Sequence, residues 1–305
     1  MSLEPVFSII VPTKNRLEIL KEVLNSINNQ KEAPPFELIV IDDGSEDQTS
    51  NYLNNINFKF PFYFEKIKAS GPAKARNIGL NKAKGKVVLF FGDDTILNER
   101  CLYYHYIRQM DNNFSCAFIG RTFWHKSLKV TRFMEYINEW GLQFGFSLIE
   151  DPENVNFNFF YTSNLAVPKK FLEEDKFDET FPYAAWEDIE LSYRLHKKGL
   201  KIKYARDAVV YHKHPTSIKK FMERQYKSGL SAKIFYEKHP EQADFLAIPI
   251  AKNLNDYKPI LLKLKTIFSI FFEDTFLPIP NKWYKEIMDY AYLKGLRDAL
   301  NENKK

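Results

Sequence analysis

Two rhythms of apolar and polar positions alternate along the first hundred or so residues. Residues 6–11 (VFSIIV), 36–41 (FELIVI), 62–67 and 86–91 (KVVLFF) are short apolar runs that read as strands. Between the first two, Leu17, Leu20, Leu24 and Ile27 recur at helical spacing, and residues 73–83 read as another helix. Ser45 with Gln48 predicts a capping box for a helix after the second strand. Such alternation predicts an α/β fold with a mainly parallel sheet and helices on both faces. Residues 121–160 lose the rhythm and are rich in aromatic rings. They read either as the wall of a binding cleft or as ordinary core and loop packing. Regularity returns with a strand over 161–167 and a helix face of Trp186, Ile189 and Tyr193, stopped by Gly199. Two short strands over 201–204 and 209–211 follow. From Ser217 the pattern is helical to the end, with breaks near Pro240 and at 278–280.

With 305 residues, 45% of them hydrophobic, the chain can bury one large α/β domain or a domain with an appendage. The aromatic share of 16% leaves rings to line a sugar or lipid groove as well as a core. A net charge of +5 is mild, and no Lys/Arg run precedes the last third, which argues against nucleic acid as a partner. The balance suits anionic nucleotides or an acidic membrane surface. Cys101 and Cys116 have no zinc spacing and read as buried thiols in a reducing compartment. Residues 1–7 lack the apolar stretch of a secretory signal, and the longest apolar candidate, 260–272, is broken by Lys263 and Lys265. The expectation is a cytoplasmic protein, with peripheral attachment to the inner face of the membrane and homodimer formation both open.

Three acidic pairs stand at the edges of predicted elements: Asp42-Asp43, Asp93-Asp94 and Glu187-Asp188. The first two follow strongly apolar strands, and open α/β sheets bind ligands at the carboxyl ends of their strands. Adjacent carboxylates repel and are costly to bury without compensation. Asp93-Asp94 after Gly92 reads equally as a hard-oxygen site for Mg²⁺ or Mn²⁺ and as a solvated turn. Asp42-Asp43-Gly44-Ser45, taken alone, reads first as a turn. Glu187-Asp188 sits at a helix start, where the macrodipole alone accounts for acids, yet a carboxylate there also suits proton abstraction from a sugar hydroxyl. His212 and His214 follow a strand and are candidates for a metal or a diphosphate.

In order, the blocks SIIVPTKNR, FELIVIDDGS, GPAKARNIGL, VVLFFGDD, WEDIELSYRL and VVYHKHP resemble glycosyltransferase family 2, which has the GT-A fold. The resemblance covers about two-thirds of the chain, residues 6–215. It implies a Rossmann-like, mixed, mainly parallel sheet flanked by helices. It further implies a catalytic domain over 1–215, divided into a nucleotide-binding half (1–120) and an acceptor-binding half (121–215), with a helical extension over 216–305. By the same resemblance Pro12, Thr13 and Arg16 hold the nucleotide, Asp42 and Asp43 contact its uracil and ribose side, and Arg76 lies near the base. Asp93 and Asp94 match the end of the DxD motif, with Asp94 on the divalent metal and Asp93 on the nucleotide side. Glu187-Asp188 matches the ED pair whose Asp is the catalytic base, and His212 falls near metal and diphosphate. The family commonly has an acid where this chain has Gly92.

The activity implied is inverting, metal-assisted transfer of a hexosyl or N-acetylhexosaminyl group from a nucleotide diphosphate sugar, UDP being the commonest donor nucleotide. The acceptor would be a hydroxyl of a saccharide or lipid-linked saccharide, in polysaccharide biosynthesis. The absence of a QxxRW motif points to a non-processive enzyme. Trp186, Asn164 and His214 are candidate substrate contacts. Two rivals are a non-catalytic nucleotide-sugar-binding module, suggested by Gly92, and a sugar nucleotidyltransferase, disfavoured because the loop after the first strand (PTKNR) lacks glycine. In the last third, Phe268, Ile270, Phe271 and Phe272 beside Lys263 and Lys265 suit docking on the catalytic domain, pairing of subunits or an interfacial helix.

Overall fold

The computed structural model describes residues 4–141, 143–254, 260–275 and 277–302. The first three residues of the N-terminal segment considered above lie outside that set. Contacts divide the chain into two compact units. A sheet unit comprises residues up to Leu128, Ile149–Glu179 and Glu187–His214, and a helical unit comprises Lys129–Leu148, Thr180–Trp186 and Pro215 onward.

The sheet unit runs β1 (Phe7–Thr13), α1 (Leu17–Asn28), β2 (Phe36–Asp42), α2 (Thr49–Asn55), β3 (Phe62–Lys66), α3 (Pro72–Lys82) and β4 (Val87–Phe91). It continues through β5 (Thr95–Leu97), α4 (Cys101–Asp111) and β6 (Cys116–Trp124). After α5 (Arg132–Glu139), which belongs to the helical unit, come β7 (Asn164–Pro168), α6 (Glu187–Lys197) and β8 (Lys201–His212). Among the described residues these strands form one sheet in the order β3-β2-β1-β4-β7-β6-β8-β5. The first four neighbours pair in parallel, as does β6 with β8, while β7 runs antiparallel to both β4 and β6 and β5 runs antiparallel to β8. Alternate residues Phe7, Ile9 and Val11 of β1 meet Leu20, Leu24 and Ile27 of α1 in one core cluster, as the period of two against 3.6 requires. Cys101 and Cys116 are both buried free thiols.

Two expectations change. The capping box is absent: Gln48 caps α2 without a side-chain bond, and Ser45 instead takes the Asn15 amide on its hydroxyl. The expected strands over 201–204 and 209–211 are one strand, interrupted by a register shift opposite Gly120/Arg121 that ejects the polar Arg206-Asp207. The last division between the two units lies at His214/Pro215. Residues of α5 and the stretch before Glu187 go with the C-terminal helices, because Phe133 packs edge-on against Phe221 and Tyr284.

The helical unit is built on α7 (Ile218–Lys238) and α10 (Asn281–Glu302), with the short α8 (Ile248–Lys252) and α9 (Ile260–Phe271). Ser217 caps α7 by accepting the Lys220 amide. The α7–α10 crossing is a glycine contact: a Cβ at Gly229 would strike the Tyr292 carbonyl, and one at Gly295 the Tyr226 carbonyl. No helix among the described residues is long and apolar enough to cross a membrane.

Candidate active site

Parallel pairing puts the carboxyl ends of β1, β2 and β4 side by side, and all three run into polar residues. Thr13 is in register with Asp42, and the Asp43 amide donates to the Thr13 carbonyl at 2.8 Å. Asp42 is wholly buried and spends its carboxylate on the turn that follows, accepting the Ser45 amide at 2.7 Å and the Ser50 hydroxyl. Asp43, next along, accepts the amides of Ser70 (2.6 Å) and Gly71 (3.0 Å), the residues that lead into α3. Of this pair, Asp42 holds its own turn and Asp43 clips a second loop beside it. Pro12 lies one residue inside the β1 end, opposite Ile41.

The Asp93-Asp94 pair follows β4. Thr13 donates its hydroxyl to Asp93 at 2.9 Å, and one guanidinium nitrogen of Arg16 bridges both acids, at 3.0 Å to Asp93 and 2.5 Å to Asp94. The antiparallel ladder of β5 with β8 sets Thr95 opposite His212, bringing His212 Nε2 to 3.4 Å from Asp94 Oδ1. Trp124 lies over the His212 ring at a centroid distance of 5.3 Å, and the exposed His214 ring lies 6.2 Å from it. Burial raises the Asp93 carboxyl to about 6, against the pull of Arg16 and with repulsion from Asp94 added. Burial acts on Asp94 in the same direction, but the charge and hydrogen bond of His212, then Arg16, hold it well below the usual range. Gly92 is crowded here, since a Cβ on it would come within 2.9 Å of Asp94 Oδ1.

The third pair heads α6. Glu187, 2% exposed, accepts one guanidinium nitrogen of Arg76 at 3.0 Å, and that guanidinium rests on the Phe177 ring. Glu187 Oε2 and Arg76 Nε are buried with no hydrogen-bond partner among the described residues. Asp188, half-buried, accepts the Ile189 amide at 2.9 Å. Burial and the neighbouring Glu187 charge push its carboxyl up to about 7, while Arg76 and backbone amides at Ile189 and Thr162 act against the rise.

Register brings these groups to one edge. Phe91, the last residue of β4, pairs with Asn164, the first of β7. The two residues after Phe91 lead to Asp93, and the two before Asn164 lead back to Thr162, which interacts with Asp188. Asp43 reaches the start of α3 through Gly71, and Arg76 of the same helix reaches Glu187. The acidic pairs are thus tied by bonded steps into one network within the sheet unit.

Two expected substrate contacts have polar partners within their own unit. Asn164 is fully buried and pinned: its oxygen meets His105 Nε2 at 2.9 Å, and its nitrogen donates to the carbonyls of Ala208 (2.8 Å) and Arg121 (3.2 Å). Trp186 belongs to the helical unit, where its ring nitrogen donates to the Ser228 carbonyl at 3.0 Å and its faces meet Phe235, Phe245 and Tyr292. Sequence reasoning missed the Arg76–Glu187 pairing, the loop clip on Asp43 and the role of Thr162. The first two join residues far apart in the chain, and the third is a backbone effect with no side-chain signature.

Among the described residues no three His, Cys, Asp or Glu side chains converge as a ready-made metal cage. The donor chemistry suits a hard divalent cation all the same. Two carboxylates, each at most 9% exposed, already share one positive group, and an imidazole adjoins them.

Comparison with known proteins agrees with this architecture. Residues 8–175 match Glycosyl transferase family 2. The uncharacterised glycosyltransferase YfnE of Bacillus subtilis is 28% identical over 260 residues, covering 70% of this chain and 66% of its own length. The hyaluronan synthase of Pasteurella multocida is 29% identical over 264 residues, 76% of this chain but 27% of the synthase. The chain therefore spans less than two thirds of the length of these relatives. Among solved structures, Staphylococcus aureus TarS 1-349 in complex with UDP-GlcNAc has a TM-score of 0.57 at 17% identity, covering 98% of this chain and 91% of that one. The mannosyltransferase PcManGT from Pyrobaculum calidifontis, in complex with GDP-Man and Mn²⁺, has a TM-score of 0.57 at 17% identity over 95% of this chain and 74% of that one. At such identities the likeness concerns the fold. The family match stops short of Glu187-Asp188, but it takes in more than half of the chain, with Asp42-Asp43 and Asp93-Asp94 inside it, and on that ground the protein belongs to glycosyl transferase family 2.

Proposed function

We propose that the sheet unit is an inverting, non-processive transferase that moves a sugar from a nucleotide diphosphate donor, UDP-linked, to a hydroxyl of a saccharide or lipid-linked saccharide. The observation that carries this reading is the buried acid-base network, with Thr13 and Arg16 on Asp93-Asp94, Arg76 on Glu187 and Asp188 next to Glu187, where burial and the Glu187 charge push the Asp188 carboxyl up to about 7. A carboxyl of that pKa is a competent general base near neutral pH. In the proposed step the acceptor oxygen attacks the anomeric carbon while Asp188 takes its proton. The bond from that carbon to the diphosphate oxygen breaks on the opposite face, and the nucleoside diphosphate leaves with the electron pair. Asp43 and Arg76 are assigned to the nucleoside end, with Pro12 and Thr13 at the β1 rim; Asp42 supports them through its turn. Arg16 is assigned to the phosphates, because its charge already stands over the acidic pair. Asp94 and His212 would hold a Mn²⁺ or Mg²⁺ ion, which when bound supplies Lewis-acid neutralisation of the diphosphate charge. Uridine diphosphate-containing complexes of fold neighbours, and the Mn²⁺ complex of PcManGT, support the nucleotide and metal parts of the reading.

The test is release of nucleoside diphosphate from a panel of UDP, GDP and dTDP sugars with Mn²⁺ and a set of saccharide acceptors. Turnover with at least one pair is expected, and Asp188→Asn should lower it about 10²–10⁴-fold while leaving donor binding intact. Donor binding without turnover for any pair, or undiminished turnover in Asp188→Asn, would refute the reading.

A further inference from the structure

Helix α9 is turned inside out relative to an ordinary surface helix. Its buried positions are Thr266 and Ser269, both polar. Its outward positions are Ile260, Leu261, Leu264, Ile267, Phe268 and Phe271, with Leu264 58%, Ile267 65% and Phe271 77% exposed. A globular protein in water normally does the reverse, and a contiguous apolar patch of this kind marks an interaction surface. The patch continues across an open groove of about 880 Å³ between α8, α9 and α10, lined by Ile250, Leu254, Leu261 and Leu293 among others.

Charge and length select the partner. All of the chain's net charge of +5 falls in residues 215–305, where 16 Lys and Arg stand against 11 Asp and Glu; residues 1–214 are balanced. Three acids around α9 are matched by cations, Glu286 by Lys265 at 2.5 Å, Asp289 by Lys285 at 2.5 Å and Asp274 by Lys129 at 3.2 Å, while Glu273 accepts the Ile218 amide at 2.8 Å. Lys263 is exposed among the outward apolar residues, with exposed Lys252 and Lys282 on the neighbouring helices. A second copy of the chain would bring the same positive unit against itself, whereas an anionic surface is attracted to it. Twelve residues of helix extend about 18 Å, short of the ~30 Å hydrocarbon core, so the helix fits the interface plane and cannot span. We infer that α9 is a membrane-surface anchor, which lays its apolar face into the headgroup region of an anionic bilayer with Lys263 on the lipid phosphates. This surface lies in the helical unit, and it stands whether or not the assignment of Asp188 does.

Flotation of the full chain with vesicles tests it, comparing phosphatidylcholine alone with an equimolar mixture of phosphatidylcholine and phosphatidylglycerol. The protein should float with the mixed vesicles, far less with the neutral ones, and less at high salt. The double variant Leu264→Asp/Ile267→Asp should lower the partition constant at least about tenfold. Lys263→Glu should lower it about tenfold for the anionic vesicles only. Both variants alter exposed positions, so circular dichroism melts and nucleotide release in detergent-free buffer should match those of the parent. The inference is overturned if the parent chain floats with neither vesicle, or with both equally. It is also overturned if the double variant floats as well as the parent, or if light scattering shows a dimer that the double variant dissociates.

Discussion

In the sheet unit, Asp43, Asp93, Asp94 and Glu187 are each at most 9% exposed, while in the helical unit Leu264, Ile267 and Phe271 are more than half exposed. One unit buries charge and the other exposes hydrocarbon, so each departs from the ordinary partition in the opposite sense. The sheet unit compensates internally, with Arg16 over Asp93-Asp94, Arg76 on Glu187 and backbone amides on Asp43. The helical unit holds itself together by shape, through the glycine contact of α7 with α10 and the rings around Trp186. What lies unmatched on α9 faces outward. The difference teaches that the sheet unit should fail when a charge is removed, and the helical unit when a volume is added.

The sharpest break is Arg76→Met. It strands the buried Glu187 carboxylate, and denaturant unfolding should show a loss of about 3–5 kcal/mol. A loss below about 1 kcal/mol would mean that the sheet unit does not rest on that balance. Next, Gly229→Ala forces a methyl into the Tyr292 carbonyl and should cost about 1–3 kcal/mol by the same assay, with nucleotide release per folded molecule unchanged. A smaller effect concerns pH. With Asp188 raised to about 7, kcat/KM should rise through a limb near that pH, since the base acts deprotonated. Glu187→Gln removes the like charge and should move the limb to lower pH by about one unit, or ~1.4 kcal/mol, in a pH–rate profile. The same raised carboxyl contributes to stability at low pH, below its unfolded value of about 4, and that contribution is lost as pH rises through about 7. Melting of Asp188→Asn should therefore gain on the parent from pH 5 to pH 8. Smallest is Trp186→Phe, which forfeits the bond to Ser228 and should cost about 1 kcal/mol in unfolding.

Much of the sheet unit was legible because its strands are apolar runs that end abruptly in acids. β1, β2, β3 and β4 fall within two residues of their expected bounds. Residues 95–124 were less legible. β5 is three residues long, and β6 carries Gly120-Arg121 in mid-strand where the ladder shifts register. The polar Arg206-Asp207 likewise hides the continuity of β8, because a bulge lets polar side chains leave a buried strand. Among candidate site residues, the acids stood out because three adjacent pairs recur at the edges of regular elements, although each pair alone reads as well as a turn or a helix start. Asn164 and Trp186 carry the same donors whether they meet a sugar or a carbonyl of their own chain, and only the fold shows that Ala208, Arg121 and Ser228 take them.

The antiparallel ladder of β4 with β7 has a further consequence. In such a ladder, losing one residue from Asn164–Pro168 turns every side chain beyond the gap to the opposite face of the sheet. Thr162 would swing away from the β4 terminus and carry its backbone grip on Asp188 with it. A strand with no reactive group therefore acts as the caliper of this site, fixing how far Thr162 lies from the end of β4.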